Sequence, residues 1–356
     1  MKKSFPSRWW MAFFFAPLLI FSTGCQLGYY IHTGYHQGKI LWSRTDIEKV
    51  LKSDTLNENQ KTKLTLAKEA KDFAETSLGL KSNGNYESFV ALDRDAVTYV
   101  VQVAYADKLK SYKWSFPFIG AVPYKGYFIK EMAQEEAAKF PPEEYDTWVR
   151  GVKAYSTLGW FKDPLTSPML KYSDQDLVEV IIHELTHTTI YLKNAADFNE
   201  RLATFVGVQG AKMFFQSREG SDSKTAKLID QEQLDLNAFS HFISEELAQL
   251  KEWYNTHSSE EIRKEKESRL KDIQNNYTLK LKPKMKTSSY DGFAKENLNN
   301  AILMSYNTYV SDLSDFQSLF DLSKRDLNVF MEHILSLKDS KDPSGDMRRL
   351  TESLTR

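Results

Sequence analysis

The segment from Asp174 to Tyr191 constrains the fold more than any other part of the chain. It has the apolar spacing of a helix and contains two histidines four positions apart, in the run His183-Glu184-Leu185-Thr186-His187. Residues at positions i and i+4 lie one above the other on a helix, so both imidazoles can reach one metal ion. Apolar residues occur on more than one side of the segment: Val178, Val180, Ile181, Ile182 and Leu185. We therefore predict a buried helix.

The residue types in this pattern suit zinc. Imidazole nitrogen is a common zinc ligand, and a catalytic zinc has three protein ligands and one open position. Zinc lowers the pKa of its water toward about 7, and Glu184 is placed to take the proton. The alternative is two surface histidines beside a glutamate, but buried histidines need partners. The prediction is a zinc cofactor, with His183 and His187 as ligands and Glu184 as the catalytic base.

A third ligand is predicted on the next helix. Glu200 follows His187 by 13 positions, and a helix, a short turn and a returning helix would bring it toward the metal. Gluzincin-type zinc peptidases take their third ligand from a glutamate on a following helix, whereas a metzincin would need Gly and His where Ile190 and Lys193 stand. An alternative stays open, because Asp197 as the N-cap and Glu200 three residues later would form an ordinary capping pair.

The first 25 residues have the layout of a signal peptide. The basic residues at its start are Lys2, Lys3 and Arg8. An apolar run extends over 9–21, and the only cysteine, Cys25, directly follows Gly24. A bacterial lipoprotein has such a cysteine, which carries the lipid and becomes the N-terminus. We predict a lipid anchor at Cys25 in the cell envelope. An aspartate after the cysteine would favour retention in the inner membrane, but Gln26 stands there, so we expect the periplasmic face of the outer membrane. The alternative is an N-terminal anchor helix.

Composition and charge exclude several other classes of protein. The chain has 356 residues, of which 41% are hydrophobic and 27% charged, so it is neither a disordered tail nor a collagen-like repeat. The 47 basic and 48 acidic residues leave no broad basic surface for nucleic acid. One cysteine excludes an internal disulfide framework. We therefore expect a globular protein with no nucleic-acid partner.

The order of strand-like and helical segments predicts an α+β fold. Alternating residues between Phe89 and Tyr105 are typical of strands and put four side chains on one face: Val97, Tyr99, Val101 and Val103. Helical spacing dominates the half after Asp174. The predicted divisions are a lipoprotein signal peptide over 1–24, an N-terminal helical segment over 25–80 and a zinc peptidase domain over 81–356. Within that domain we expect a sheet at about 88–157, active-site helices at about 174–215 and C-terminal helices over 223–356.

Further motifs connect the chain to a known family. They are Gly28-Tyr29-Tyr30 and Gln37-Gly38, Trp114-Ser115-Phe116-Pro117, Pro123-Tyr124-Lys125-Gly126-Tyr127-Phe128, Arg150-Gly151-Val152, Ala154 to Phe161 with Asp163-Pro164, and Leu298-Asn299-Asn300-Ala301. With these and the two helical motifs, H-E-x-x-H and F-N-E-x-x-A, the chain resembles a family of bacterial lipoproteins described as predicted zinc aminopeptidases. The resemblance covers nearly the whole chain after Cys25. It implies a zincin-like fold and zinc-dependent hydrolysis of peptide bonds.

The resemblance also implies two further parts of a site. In zinc peptidases of this kind a strand before the metal helix pairs with the substrate backbone. The segment 154–160 matches it, which makes Tyr155 and Gly159 candidate substrate-binding residues, although a packed aromatic strand with a glycine turn is the alternative. A phenol commonly stabilises the oxyanion in gluzincins. Tyr309 is the candidate for that catalytic role, and Tyr155 is its rival.

The function implied by the resemblance is that of an aminopeptidase with a peptide substrate, held at the membrane through lipidated Cys25. A zinc endopeptidase is one alternative, and a non-catalytic metal-binding envelope lipoprotein is another. The intact Glu184 argues against a non-catalytic metal-binding lipoprotein, because a structural zinc site does not need a base and usually has four protein ligands.

Overall fold

A computed structural model describes residues 12–116, 120–154, 161–309 and 313–355, and it describes side chains in these ranges except at 12–26 and 307–309. The chain forms two compact units, Met1–Arg44 and Thr45–Arg356. The first unit contains helix α1 (Ala12–Trp42), in which Cys25 lies. Among the described residues, none of the helices combines the length and the apolar character needed to cross a bilayer.

The second unit mixes strands and helices in its first part and is helical after Asp174. Its strands are β1 (Thr45–Asp46), β2 (Ser88–Val90), β3 (Thr98–Tyr105), β4 (Trp114–Phe116), β5 (Gly120–Val122), β6 (Tyr124–Tyr127), β7 (Tyr145–Val152) and β8 (Leu165–Thr166). Its helices are α2 (Ile47–Leu51), α3 (Glu58–Thr76), α4 (Lys130–Ala137), α5 (Asp174–Thr189), α6 (Ala196–Glu219), α7 (Lys224–Thr256), α8 (Ser259–Asn276), α9 (Asn300–Tyr309), α10 (Ser314–Leu322), α11 (Leu327–Leu335) and α12 (Pro343–Thr355).

The strands form small sheets beside a larger helical part. The described chain is about 61% helical, and the α+β class predicted from the sequence is confirmed. One sheet has the order β6-β3-β7 with antiparallel pairing, a second has the order β1-β2-β8, and β4 pairs with β5. Val97, Val101 and Val103 of the predicted apolar face are at most 1% exposed, whereas Tyr99 stays partly accessible.

Helix α5 lies at the centre of the main apolar core. It begins after Ser173, whose hydroxyl accepts a hydrogen bond from the backbone N–H of Asp176 at 3.1 Å and so caps the helix. Five apolar side chains of α5 are completely buried: Leu177, Val178, Ile181, Ile182 and Leu185. The same core contains apolar residues of α3, so α3 belongs to the compact unit that carries α5. Packing on several sides holds the helix rigidly.

A buried carboxylate joins the β4–β6 region to α4. Glu136 accepts hydrogen bonds from the Trp114 indole at 3.1 Å, from Lys125 at 3.1 Å and from Lys139 at 2.8 Å. Burial alone raises the pKa of this carboxyl, but the bonds from Lys139 and Lys125 outweigh burial and lower the pKa from 4.5 to about 2. The charged form of Glu136 therefore stabilises the fold at neutral pH.

We expect Glu136→Gln to lower the free energy of unfolding by about 1–3 kcal/mol at pH 7, because two ammonium groups lose a charged partner. The native carboxyl has the lower pKa, so its contribution is complete above about pH 5 and falls as the pH drops from 4.5 toward 2. Urea unfolding of both proteins between pH 3 and 7 measures this difference. A difference that stays constant over the whole range would contradict the assignment.

Candidate metal centre

The two histidines of α5 lie side by side, as their spacing predicts. The rings of His183 and His187 have centroids 4.9 Å apart and meet nearly at right angles, at 84°. The His187 side chain is 3% exposed and that of His183 is 21% exposed. One imidazole is therefore fixed inside the protein, while the other borders the solvent.

A tight turn reverses the chain after α5. Ile190 ends the helix in an extended conformation, and Asn194 takes a positive φ of 62°. Asn199, which is 1% exposed, closes the turn: its Oδ1 accepts from the Leu192 N–H at 2.9 Å, and its Nδ2 donates to the Leu192 carbonyl at 2.8 Å. This pair of bonds fixes the start of α6 and thereby the direction of the next residue, Glu200.

Glu200 faces both histidines. Its Oε2 lies 3.6 Å from His183 Nε2, and its Oε1 lies 3.4 Å from His187 Nε2. The ligand atoms of the three residues all lie within 4.8 Å of one another. Four tetrahedral ligands at zinc bond lengths of about 2.0–2.1 Å are roughly 3.3 Å apart, so this donor set fits a zinc ion with little adjustment. The three residues could hold a metal ion.

The structure excludes the capping alternative for Glu200. Helix α6 has Ala195 as its N-cap, with no side-chain cap, and Glu200 is the fifth residue of the helix rather than the third. The interactions with His183 and His187 hold the pKa of Glu200 well below its usual range, against the opposing effect of burial. The carboxylate is therefore ionised, as a metal ligand must be.

One further carboxyl group, that of Glu179, lies near His183. Glu179 lies one turn before His183 on α5, and burial, followed by the charges of Asp176 and Glu232, raises its pKa to about 8. A carboxyl group with this pKa is mostly protonated at neutral pH, so Glu179 adds little negative charge beside the cluster.

Glu184 stands beside the cluster, with its Oε2 inaccessible to solvent. Burial, together with the negative charge of Glu184, raises the pKa of two tyrosines. Burial, and next the charge of Glu184, raises the pKa of Tyr86 well above its usual range. Burial, then Asp176 and Glu184, also raises the pKa of Tyr172. Both phenols therefore keep their protons at neutral pH and stay hydrogen-bond donors near this carboxylate.

A model of one protein family matches residues 28–348, and that family is described as "Putative aminopeptidase". The chain belongs to this family. The matched region contains the whole metal cluster, and the match confirms that the chain belongs to a family of putative aminopeptidases. Curated proteins and solved structures gave no significant match. The description of the aminopeptidase family names a peptidase activity, while the zinc and the lipid anchor stay predictions.

Other residues predicted for an aminopeptidase site lie outside the described part of the chain. Tyr155 and Gly159 fall in the segment 155–160, which the structure does not describe. Tyr309 is the last residue of α9, but its side chain is outside the described part. Their roles stay predictions.

Strand β7, which comes just before the segment 155–160, ends near Tyr172, whose pKa is raised by burial and in part by the charge of Glu184. β7 ends at Val152, and the ammonium of Lys153 lies 5.0 Å from the centre of the Tyr172 ring. Within the described residues β7 pairs with β3 on one side and with no strand on the other.

Sequence reasoning missed Tyr86. This tyrosine is 3% exposed and has a backbone φ of 61°, a conformation that residues other than glycine rarely adopt. Its loop is held on α5 by two bonds: Thr189 Oγ1 accepts from the Lys81 N–H at 2.8 Å, and Asn85 Nδ2 donates to Thr188 Oγ1 at 3.0 Å. The dipeptide Asn83-Gly84 is typical of turns, but only the fold shows that this turn approaches the metal helix.

Glycine allows α5 and α6 to approach closely at the cluster. A Cβ at Gly207 would lie 3.1 Å from the carbonyl oxygen of Glu179 and 3.3 Å from the Cβ of His183. These contacts are tighter than normal packing, and the first involves rigid backbone. Gly207 therefore sets the distance between the helix of the histidines and the helix of Glu200.

We expect Gly207→Ala to weaken metal binding about tenfold, because a shift of a few tenths of an ångström separates Glu200 from the histidines. Gly210→Ala is the matched control. Its Cβ would meet side-chain atoms of Ile182 and Leu78, both at 2.9 Å, so it should lower stability with less effect on the metal. Metal titration and thermal unfolding separate the two effects, and equal metal affinity in both variants would contradict the role of Gly207.

Proposed function

We propose that the chain is a zinc-dependent peptidase with a zincin-like site, acting as an aminopeptidase. The observation that carries this proposal is the meeting of His183, His187 and Glu200, with ligand atoms within 4.8 Å of one another, beside Glu184. Two imidazoles, one carboxylate and an open side are the donor set of a catalytic zinc rather than a closed structural one. The family description supports the choice of peptide bonds as the substrate.

The chemistry divides between the metal and the chain. When bound, zinc acts as a Lewis acid that polarises a carbonyl and makes water acidic near neutral pH. Glu184 takes the proton from the attacking water and later passes it to the leaving amine, so one carboxyl serves as base and then as acid. The neutral phenols of Tyr86 and Tyr172 keep the surroundings of Glu184 polar without adding a competing charge.

Substrate cleavage with and without a free amino terminus tests the proposed activity. The zinc-loaded protein should release the first residue from peptides with a free amine and leave the same peptides intact once they are N-acetylated. Each free and acetylated pair controls for sequence preference. Cleavage of the acetylated peptides would instead identify an endopeptidase, and hydrolysis of neither set would favour a non-catalytic metal-binding lipoprotein.

We propose further that the mature chain begins at a lipidated Cys25 and faces the periplasm from the outer membrane. The basic start, the apolar run and the position of the only cysteine support this location. Mass spectrometry of the N-terminal peptide should find diacylglycerol on Cys25. A chain that still begins at Met1, with an unmodified Cys25, would support the anchor helix instead.

A further inference from the structure

Helix α1 exposes an apolar face. Leu27, Ile31, Tyr35 and Trp42 are 57%, 64%, 66% and 92% exposed. Tyr30, at 38%, lies beside them. At 100° per residue these five side chains fall within a sector of roughly 140°, and the three other residues in that sector are two glycines and a leucine. Soluble proteins rarely expose a contiguous stripe of this kind, so the stripe indicates a partner.

The charge of this segment is one-sided. The chain has no aspartate or glutamate before Asp46, so the part from Cys25 to Thr45 carries Lys39 and Arg44 without any acidic residue. The remainder of the chain has more acidic than basic residues. A surface of negative charge would therefore attract the α1 segment selectively.

We propose that this face of α1 lies in the headgroup region of a membrane that contains anionic lipid. The proposal rests on the proposed lipidation of Cys25, which stands two residues before Leu27 and would keep the face at the bilayer surface. Tethering raises the local concentration of the lipid surface, so even a weakly apolar face is held there. Tyrosine and tryptophan favour the membrane interface, and lysine and arginine complement anionic headgroups.

The geometry suits a helix that lies flat. From Leu27 to Trp42 the axis extends about 22 Å, and the stripe runs along one side for the whole of this length. The apolar face then enters the interface while Lys39, at the edge of the stripe, stays at headgroup level. The lipid and the helix together form two attachment signals, which fix the orientation of α1 relative to the bilayer.

Spin labels on the mature lipoprotein test this arrangement. Lipidation leaves no thiol on Cys25, so Ile31→Cys or Tyr35→Cys supplies a unique attachment point. Leu279→Cys is the matched control, because Leu279 is a 75% exposed leucine outside α1. The protein is reconstituted in vesicles of phosphatidylethanolamine and phosphatidylglycerol. Labels at 31 and 35 should be several-fold less accessible to an aqueous nickel complex than the label at 279, and more accessible to dissolved oxygen.

Equal accessibility at 31, 35 and 279 would overturn the proposal. Dipolar broadening between labels at position 35 that persists in detergent micelles would also overturn it, because the occupant would then be a second copy of the chain. Peptide hydrolysis by the same samples reports on the active site independently, so a failed peptidase assignment and a failed membrane face are distinguishable. An unmodified Cys25 in the N-terminal peptide would also overturn the proposal, because no lipid would then hold this face of α1 at the bilayer.

Discussion

Glu184→Gln should keep the metal content of the wild-type protein and slow peptide hydrolysis by about two to four orders of magnitude, the range for losing a general base. Glutamine has nearly the same shape and leaves His183, His187 and Glu200 in place. It cannot accept a proton from water, so the step that Glu184 performs is lost while the ligand set is intact.

Metal analysis and turnover on the same preparation of the Glu184→Gln protein check this result. Loss of the metal would mean that Glu184 supports the ligands rather than the reaction. Wild-type turnover in this variant would reject the proposed mechanism, since no proton transfer by residue 184 would then be needed.

Removing a metal ligand should lower the metal content itself, unlike the Glu184→Gln change. We expect His187→Ala and Glu200→Gln to weaken zinc binding by more than the roughly 10–100-fold that loss of a supporting residue typically costs, and hydrolysis should fall with zinc occupancy. His187 is nearly buried, and its Nε2 lies 3.4 Å from Glu200, so neither residue has a substitute in the described cluster.

Asp197→Asn is the matched control for Glu200→Gln. Asp197 lies one turn earlier on α6, its side chain is 85% exposed, and its carboxylate interacts with Arg201 at 3.9 Å. The variant removes one negative charge close to the cluster without touching a ligand, so its zinc affinity should stay near that of the wild type. A Glu200→Gln protein that binds zinc as tightly as Asp197→Asn would exclude Glu200 as a ligand.

The metal helix could be predicted because its information is local. The spacing of His183 and His187 and the apolar residues around them are sufficient for a buried helix with two imidazoles on one side. Glu200 could be placed on the next helix by its distance along the chain, yet the sequence left capping as an alternative. The structure resolves this point because α6 begins at Ala196, one residue before the expected cap.

The features that position Glu200 depend on contacts between distant backbone segments. Nothing in the sequence indicates that Asn199 binds both polar groups of Leu192, since an asparagine near a helix start is usually a cap. The closeness of Gly207 to Glu179 likewise follows from how two helices cross. A glycine inside a helix predicts only a local loss of stability.

The approach of the Tyr86 loop to α5 could not be predicted for a similar reason. Its φ of 61° is held by bonds from the loop to Thr188 and Thr189, about a hundred residues later in the chain. The β6-β3-β7 sheet could be predicted only in part. Alternation identified the buried valines of β3, but the pairing partners and the register need the folded chain.

Stepwise return of zinc to metal-free protein, with hydrolysis of a free-amine peptide measured at each step, tests the central claim most directly. The account predicts that activity rises in proportion to added zinc, stops at one ion per chain, and does not return in His187→Ala at the same zinc concentrations. Full hydrolysis by the metal-free protein, or the same recovery in His187→Ala, would contradict it.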